Sequence, residues 1–263
     1  MKDLLSLFWK KEGTGPVGRG AFALNLVLAL FLLSGFFFFA FSRLAYDFHW
    51  EAVWRYRMKF VRGFLTTLGI SCLSMALSLV FGTLLALGQR VRFLPLRMLC
   101  RVIVEFIRGT PFLVQILVFF YVVADAFGME NRFVVGAVIL SVFTGAYIAE
   151  MVRGGIESVG GSQRETARSL GLTVLQTYLY VILPQVMKRI LPGLAGQFAS
   201  LIKDSSLLSI IAVREFTMNA QEVNAFTYST LESYLPLALG YLLLTFPVSL
   251  LSRRLETRYH YES

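Results

Sequence analysis

Six ionisable residues lie in or at the ends of long apolar runs, where a charge is costly unless it faces a partner or a cavity. Lys203 and Asp204 are adjacent, so on a helix they point in different directions, which favours contacts with other helices or with a substrate. The other four form two pairs with a spacing of three, which places each pair on one helical face and allows internal pairing. These are Glu105 with Arg108, and Glu150 with Arg153.

A zwitterionic solute that moves past such groups would need an acceptor for its positive group and a donor for its negative group. The carboxylates could serve the first, and the basic side chains or the free N–H groups of a broken helix the second. Two interpretations stay open for these groups: contact with a substrate, and pairing among the side chains themselves. The candidate lining residues are Glu105, Arg108, Thr144, Glu150, Lys203, Asp204, Ser205 and Ser206.

Residues for other site chemistries are few. The two histidines, His49 and His260, are far apart, and the two cysteines, Cys72 and Cys100, have neither zinc spacing nor a disulfide framework. The sequence contains no GxxxxGK[ST] phosphate-binding loop, so we do not expect it to bind ATP in that way. We expect no metal or cofactor on this chain, which disfavours an integral membrane enzyme.

Long apolar runs must position the polar residues. The 263 residues are 56% hydrophobic and 16% charged, whereas soluble domains are about a quarter charged. Several runs reach the roughly 20 residues that cross a bilayer, so the sequence predicts an all-α polytopic membrane protein of about six spans. In the second run, small residues four apart predict a face for close helix packing: Ser74, Ser78, Gly82 and Ala86. The approximate spans are 21–42, 64–88, 103–124, 133–152, 194–213 and 233–252.

Basic residues gather beside the spans and indicate the orientation. With the N-terminus in the cytoplasm, the cytoplasmic segments hold sixteen Lys and Arg residues and the outer segments seven, which favours cytoplasmic termini. The outer segment 43–63 does not follow this bias, because it holds five basic residues. Its Trp50, Trp54 and Tyr56 predict an interfacial helix on the outer face. This bias accounts for the net charge of +9, so we expect lipid rather than nucleic acid as a partner.

A polar segment between two spans predicts a helix-turn-helix knob on the cytoplasmic face. Residues 165–170 are typical of a short helix, and Gly171 would end it in the left-handed conformation. A second helix would begin near Thr173 and be bent or broken at Pro184. Small side chains at Thr166, Ala167 and Ser169 would allow close approach by the groove of a partner.

This segment resembles the EAA loop of ABC-type importer permeases, through Glu-x-Ala at Glu165, then Gly171, then Ile182-Leu183-Pro184. Three flanking motifs are similar to the polar amino-acid permeases of the histidine/glutamine type. They are RGTPFLVQ at 108–115, YIAEMVRGGIESV at 147–159 and LIKDSSLLS at 201–209. The resemblance covers roughly residues 60–258, and four motifs in order at family-like spacing make it specific.

The chain departs from the family pattern in small ways. Ser162 replaces the usual Gly and Thr166 the first Ala of Gly-Gln-x-Glu-Ala-Ala, which preserves small side chains but predicts a stiffer turn. Ser205 stands where the family often has Thr. The family core often has five spans, so the first span is an addition whose role the sequence leaves open.

The resemblance implies the transmembrane permease subunit of a type I ABC importer for a polar or charged amino acid, in the bacterial inner membrane. Its loop would act as a coupling helix in a cleft of a cytoplasmic ABC ATPase dimer, which binds ATP and Mg²⁺, and Glu165 would pair there with a basic residue. A second permease subunit, identical or a sister, and an extracytoplasmic amino-acid-binding protein would complete the assembly. The implied coupling-loop residues are Gln163, Glu165, Thr166, Ala167, Ser169, Leu170, Gly171 and Pro184.

The organisation that follows is a cytoplasmic segment at 1–20, an extra span with an outer segment at 21–59, a permease domain at 60–258 and a tail at 259–263. The coupling loop would occupy about 153–193. A self-contained carrier or channel is the alternative. Inverted repeats or paired discontinuous helices would indicate it, and no internal repeat is evident.

Overall fold

The computed structural model describes residues 18–43 and 46–259, in two compact units, Met1–Phe48 and His49–Ser263. The first unit contains helix α1 (Arg19–Ser42). Its stretch Gly20–Ser42 has a mean hydropathy of 2.4 and contains no buried residue, as expected of a helix that faces lipid. This helix agrees with the predicted first span.

The second unit is helical, and the described residues include no strand. Three of its helices are long and apolar enough to cross a membrane, in agreement with the predicted second, fourth and sixth spans: α3, α6 and α11. The helices are α2 (Trp50–Trp54), α3 (Arg57–Gly88), α4 (Leu94–Gly109), α5 (Phe112–Val118), α6 (Arg132–Glu157), α7 (Gly161–Ser169), α8 (Val174–Gln176), α9 (Leu183–Asp204), α10 (Phe216–Thr227) and α11 (Thr230–Arg258).

Helices α3 and α6 form the centre of this unit and run in the same direction. The Ser74 hydroxyl donates to the carbonyl of Ala137, and the Ser78 hydroxyl to that of Ser141, each at 3.1 Å. One turn further, a Cβ on Gly82 would lie 2.5 Å from the Gly145 carbonyl oxygen. The small-residue face is therefore confirmed as a close helix contact. We call the end where α6 leads into α7 the loop end, and the other the opposite end.

The third predicted span is wrong as a straight helix. Helices α4 and α5 meet at 113°, because Pro111 forces Thr110 into an extended conformation, with φ −117° and ψ 148°. The Gln115 side-chain amide donates to the carbonyl of Ile107 and to both oxygens of Thr110, which satisfies the broken turn.

The two helices of this bent pair lie in different parts of the unit. Helix α4 stays at the loop end, where Cys100 lies against Gly88. Helix α5 and the π-helical segment Phe119–Ala124 return along α6, with Phe112 stacked on Phe143 at 4.2 Å and Arg132 over the Phe120 ring at 6.0 Å. Since α3 and α6 are parallel, the bent pair must carry the chain back to the opposite end.

The fifth predicted span, 194–213, also has different bounds. Helix α9 begins at Leu183 and ends at Asp204, and a 3₁₀ helix (Ser205–Ile211) follows. Helix α9 is not among the described helices apolar enough to cross a membrane by itself, because Lys188, Arg189 and Lys203 interrupt it. The predicted span followed the apolar second half of α9, so its predicted start lies after the actual start of the helix.

Pro184 does not break the helix that precedes it. Helix α8 leads into a π-helical segment (Thr177–Ile182), which leads directly into α9. A proline ring clashes with the carbonyl four residues earlier, and a wider π turn just before Pro184 accommodates it. The result is a continuous rod that begins beside α7 and ends at the opposite end.

Candidate coupling site and pathway residues

Helix α7 projects from the loop end and closes with a Schellman motif. The Gly171 amide donates to the Arg168 carbonyl at 2.9 Å, and the Leu172 amide to the Ala167 carbonyl at 3.1 Å. Gly171 has φ +75°, the left-handed conformation predicted for it, which only glycine adopts cheaply. Thr173 then begins α8 with a capping box that involves Gln176.

The exposed face of α7 combines one carboxylate with small and apolar side chains. Glu165, Thr166 and Ser169 are exposed, and Leu170 is 75% exposed, which is unusual for a leucine beside a polar helix. Ala167 is only 3% exposed and packs against its own chain. The expectation that Ala167 faces the groove of a partner is therefore wrong, because it occupies the inner side of a helix whose neighbours face out.

Two side-chain hydrogen bonds tie α7 to the ends of α6 and α9, and a third joins the ends of those two helices to each other. Arg164 donates to the Ile156 carbonyl at 2.9 Å. The side-chain amide of Gln185 donates to that of Gln163, and Arg189 donates to the Ser158 carbonyl. Helix α7 is thus fixed to two long helices and cannot move without moving their ends. Arg164, Gln185 and Arg189 were missed by sequence reasoning, because each partner is distant or a backbone atom.

A line of ion pairs crosses the loop end. Arg108 on α4 lies 3.7 Å from Glu150, which pairs with Arg153 as predicted. Arg153 lies 2.6 Å from Glu157, and Glu157 3.9 Å from Arg90 at the end of α3. We call this set the ionic ladder: Arg90, Arg108, Glu150, Arg153 and Glu157.

The predicted pairing of Glu105 with Arg108 is wrong. Arg108 reaches Glu150 on α6 and the face of Tyr147 at 5.6 Å, whereas Glu105 has no ion pair among the described residues. The bend at Pro111 brings the end of α4 against α6, so a partner 42 positions away is nearer than one on the same helix. Spacing on one helix could not reveal this contact.

The remaining pathway candidates separate into buried and accessible groups. Thr144 and Ser205 have no exposed surface, and the Ser205 hydroxyl donates to the Ile202 carbonyl at 2.8 Å. Lys203 is exposed, and Asp204 and Ser206 are half-buried. Within the described residues no ion pair joins Lys203 or Asp204 to the ionic ladder, so the structure does not assemble all candidates into one site.

Residues 78–261 match the family of binding-protein-dependent transport system inner membrane components. This chain belongs to that family. It is 39% identical to the probable glutamine ABC transporter permease protein GlnM of Bacillus subtilis over 204 residues. The matched region covers 76% of this chain and 94% of that protein. It is 36% identical to the glutamine transport system permease protein GlnP of Escherichia coli over 214 residues. This match covers 81% of this chain and 98% of that protein.

Solved structures agree with this assignment. A crystal structure of an amino acid ABC transporter with histidines has a chain that is 34% identical, with a TM-score of 0.74, and covers 82% of this chain and all of that one. The methionine transporter MetNI, at 18% identity and a TM-score of 0.65, shares the fold. The resemblance to the polar amino-acid permeases is confirmed, as is the type I importer fold.

Membership decides between the alternatives that the sequence left open. The chain is an importer permease rather than a carrier or channel, and it is the non-catalytic subunit of a system whose ATPase is separate. It is a multi-pass protein of the bacterial inner membrane. The family profile begins at residue 78, so it does not include α1.

Proposed function

We propose that α7 is the docking helix for a cytoplasmic ATPase subunit, and that this permease carries glutamine or a similar polar amino acid. The observation that carries the docking proposal is the geometry of α7, which is exposed, closed by Gly171 and tied to α6 through Arg164 and to α9 through Gln185. The substrate proposal is supported by two relatives at 39% and 36% identity that are named for glutamine transport.

Docking would bury one charge and one apolar side chain on the exposed face of α7. Glu165 would pair with a basic residue of the ATPase, and Leu170 would enter an apolar part of its cleft. Thr166 and Ser169 donate their hydroxyls to carbonyls of their own helix, at 2.9 and 3.1 Å, so they present a small and largely satisfied surface. ATP and Mg²⁺ would be held by the ATPase.

Closure of two ATPase subunits on ATP would pull the docked helix and move the loop ends of α6 and α9. The Arg108–Glu150 pair would carry that displacement to α4 and the bend at Pro111. The break between α4 and α5 can serve as a hinge, so the two halves of the bent pair can rearrange between inward-open and outward-open states. A second permease subunit would supply the other wall of the pathway, and a binding protein would deliver substrate from the opposite end.

Lys203 and Asp204 are the charges that we assign to the amino acid. They are not used by the ionic ladder, and they lie where α9 gives way to a 3₁₀ helix. Asp204 would accept the ammonium group and Lys203 would approach the carboxylate. Glu150 and Arg108 already neutralise each other, which makes them gate residues in this proposal.

The docking proposal is tested by co-expressing the permease with a candidate ATPase and measuring recovery of the complex. Glu165→Ala removes the paired charge, and Gly171→Ala forces an alanine into a left-handed turn. We expect each to weaken recovery about tenfold, because Glu165→Ala loses one charge-assisted contact and Gly171→Ala strains the turn that ends α7. Gly161→Ala is the matched control, because a Cβ there meets nothing within 4 Å and φ is not positive. Equal recovery for all three would refute docking at α7.

The substrate proposal is tested in proteoliposomes that contain the complex and a binding protein. Glutamine should stimulate ATP hydrolysis and accumulate inside, and Asp204→Asn should reduce uptake without reducing recovery of the ATPase. Stimulation by another class of amino acid with no response to glutamine would contradict this assignment while leaving the docking proposal intact.

A further inference from the structure

An open cavity of about 480 Å³ lies at the opposite end of the second unit, away from α7. Its walls come from the start of α3, from the N-terminal end of α6 and from the turn that follows the 3₁₀ helix. The lining residues are Thr66, Glu130, Asn131, Arg132, Phe133, Ala212, Val213 and Arg214.

The cavity has an excess of positive charge. Arg132 and Arg214 line it, and Arg62 lies one turn before Thr66 on the same face of α3. Glu130 is the one carboxylate among the lining residues. We call Arg62, Arg132 and Arg214 the arginine rim.

The guanidinium groups of this rim are weakly paired within the described residues. Arg214 has a side chain that is 82% exposed, and its nearest carboxylate, Glu222, is 3.9 Å away and already paired with Lys59. Arg62 is exposed and has no ion pair in the described part of the chain. The first amides of α6 are capped by the Asn131 side chain at 3.0 and 3.2 Å, so the rim rather than that helix end supplies the free donors.

The backbone under Arg214 is held rigidly. Glu215, with no exposed surface, accepts hydrogen bonds from the amides of Thr217 and Met218 at 2.8 and 2.7 Å and from the Tyr241 hydroxyl at 2.9 Å. Thr67 on α3 accepts the Phe216 amide at 3.0 Å. A donor on a fixed base loses little freedom when it binds, which favours recognition.

Arg62 also belongs to the segment 43–63, whose basic residues oppose the positive-inside rule. Orientation signals do not explain arginines at this end, so another role is needed. Arginine forks match carboxylates in a bidentate geometry, which makes an anionic carboxylate the expected ligand.

We propose that the arginine rim is a docking socket for carboxylate side chains on the surface of the binding protein. This inference rests on the proposed function, which places the binding protein at the end opposite α7. A protein fits better than a free amino acid, because small-ligand sites enclose most of the ligand surface, whereas this cavity is open and the Arg214 side chain is largely exposed. The partner is a binding protein with an acidic rim around its substrate cleft.

The test uses the full-length permease in lipid nanodiscs and, from a set of amino-acid-binding proteins, the one that binds the wild-type permease most tightly. Binding is measured directly, with and without the ATPase, for wild type, for Arg132→Gln/Arg214→Gln, the two arginines that line the cavity, and for the control Arg55→Gln. Arg55 is an exposed arginine near the same end that does not line the cavity. We expect the double variant to weaken binding at least about tenfold and to flatten its salt dependence, whereas the control matches wild type.

The result that overturns the socket is a double variant that binds like the control at both low and high salt. A raised half-saturating concentration of amino acid, with unchanged affinity for the binding protein, would also overturn it and would make the cavity a substrate subsite. Failure of α7 docking is read separately, as loss of ATPase from wild-type nanodiscs, and leaves the direct binding measurement valid.

Discussion

The loop end and the opposite end of the permease are held together by different contacts. At the loop end, exposed and half-buried charges form the ionic ladder between α3, α4 and α6, and all five of its side chains are between 26% and 52% exposed. At the opposite end, the carboxylate of Glu215 is fully buried and bonded to donors from α3, α10 and α11. Exposed pairs break and re-form at little cost, whereas buried hydrogen-bonded groups do not. The difference indicates a loop end that moves and an opposite end that serves as a fixed base.

The largest effect is expected at the buried carboxylate. Glu215→Ala would leave two amides and the Tyr241 hydroxyl without their acceptor, so we expect the free energy of unfolding in detergent to fall by about 3 kcal/mol. Thermal unfolding of the purified permease measures this. Glu157→Gln at the loop end, which removes only accessible ion pairs, should change it by less than about 1 kcal/mol. Similar losses for the two variants would remove the distinction between the ends.

The contact between α3 and α6 should be the next most sensitive position. Gly82→Ala would place a Cβ 2.5 Å from the Gly145 carbonyl oxygen and 2.9 Å from Ile148, so the helices must separate. We expect a loss of about 2 kcal/mol in the same assay, typical of overpacking. Gly69→Ala on the same helix meets nothing within 4 Å and is the matched control. If both behave alike, the parallel contact is not as tight as described.

The pH dependence of stability should report Glu215. Burial raises the pKa of this carboxyl above its usual value near 4.5, and its hydrogen bonds from Thr217 and Met218 only partly oppose that rise. A raised pKa in the folded state means that protonation favours folding. The contribution is therefore full below pH 4.5 and is lost as the pH rises through the folded-state pKa.

Comparison with Glu215→Gln isolates this effect, because the amide does not titrate. The difference in melting temperature between wild type and this variant should move against wild type as the pH rises from 4.5 towards neutrality. A difference that is constant over this range, or that moves in favour of wild type, would contradict the assigned direction.

The smallest effect on stability, but a clear one on transport, is expected in the ionic ladder. Glu150→Gln removes the partner of both Arg108 and Arg153, and Glu150 is accessible enough that the loss of stability should be below about 1 kcal/mol. If the ladder couples α6 to the bent pair, uptake should fall several-fold while the melting temperature hardly changes. Glu105→Gln, at an unpaired position on α4, should leave both unchanged. A large loss of stability would show that this end is not the mobile one.

Local features of the fold were predictable from sequence where the physical signal is local. Gly171 and Thr173 mark a helix end and a helix start through their own conformational preferences, and both boundaries are found. Pro111 marked the break in the third span, but the apolar run was long enough to predict one straight helix across it. Hydropathy indicates the length of an apolar run but not whether the helix changes direction within it.

Contacts between helices were not predictable in the same way. The pairing of Arg108 with Glu150 depends on the bend at Pro111, and the inward direction of Ala167 depends on packing against the segment that follows α7. The interfacial aromatic residues of segment 43–63 form a local pattern that the sequence shows. The arginine rim joins three segments that are distant in the chain, so the sequence does not show it. Such sites need the parallel arrangement of α3 and α6, which no local pattern encodes.

The central claim is that α7 transmits motion through its side-chain ties to α6 and α9. The most direct test is the ratio of amino acid taken up to ATP hydrolysed in proteoliposomes for Arg164→Ala/Gln185→Ala, which cuts both ties of α7 and leaves Glu165 and Leu170 in place. The control is Lys188→Ala, an exposed neighbour with no ion pair among the described residues. We predict that the double variant retains the ATPase and its hydrolysis but that its uptake per ATP falls several-fold below that of the control. An unchanged ratio would contradict the account.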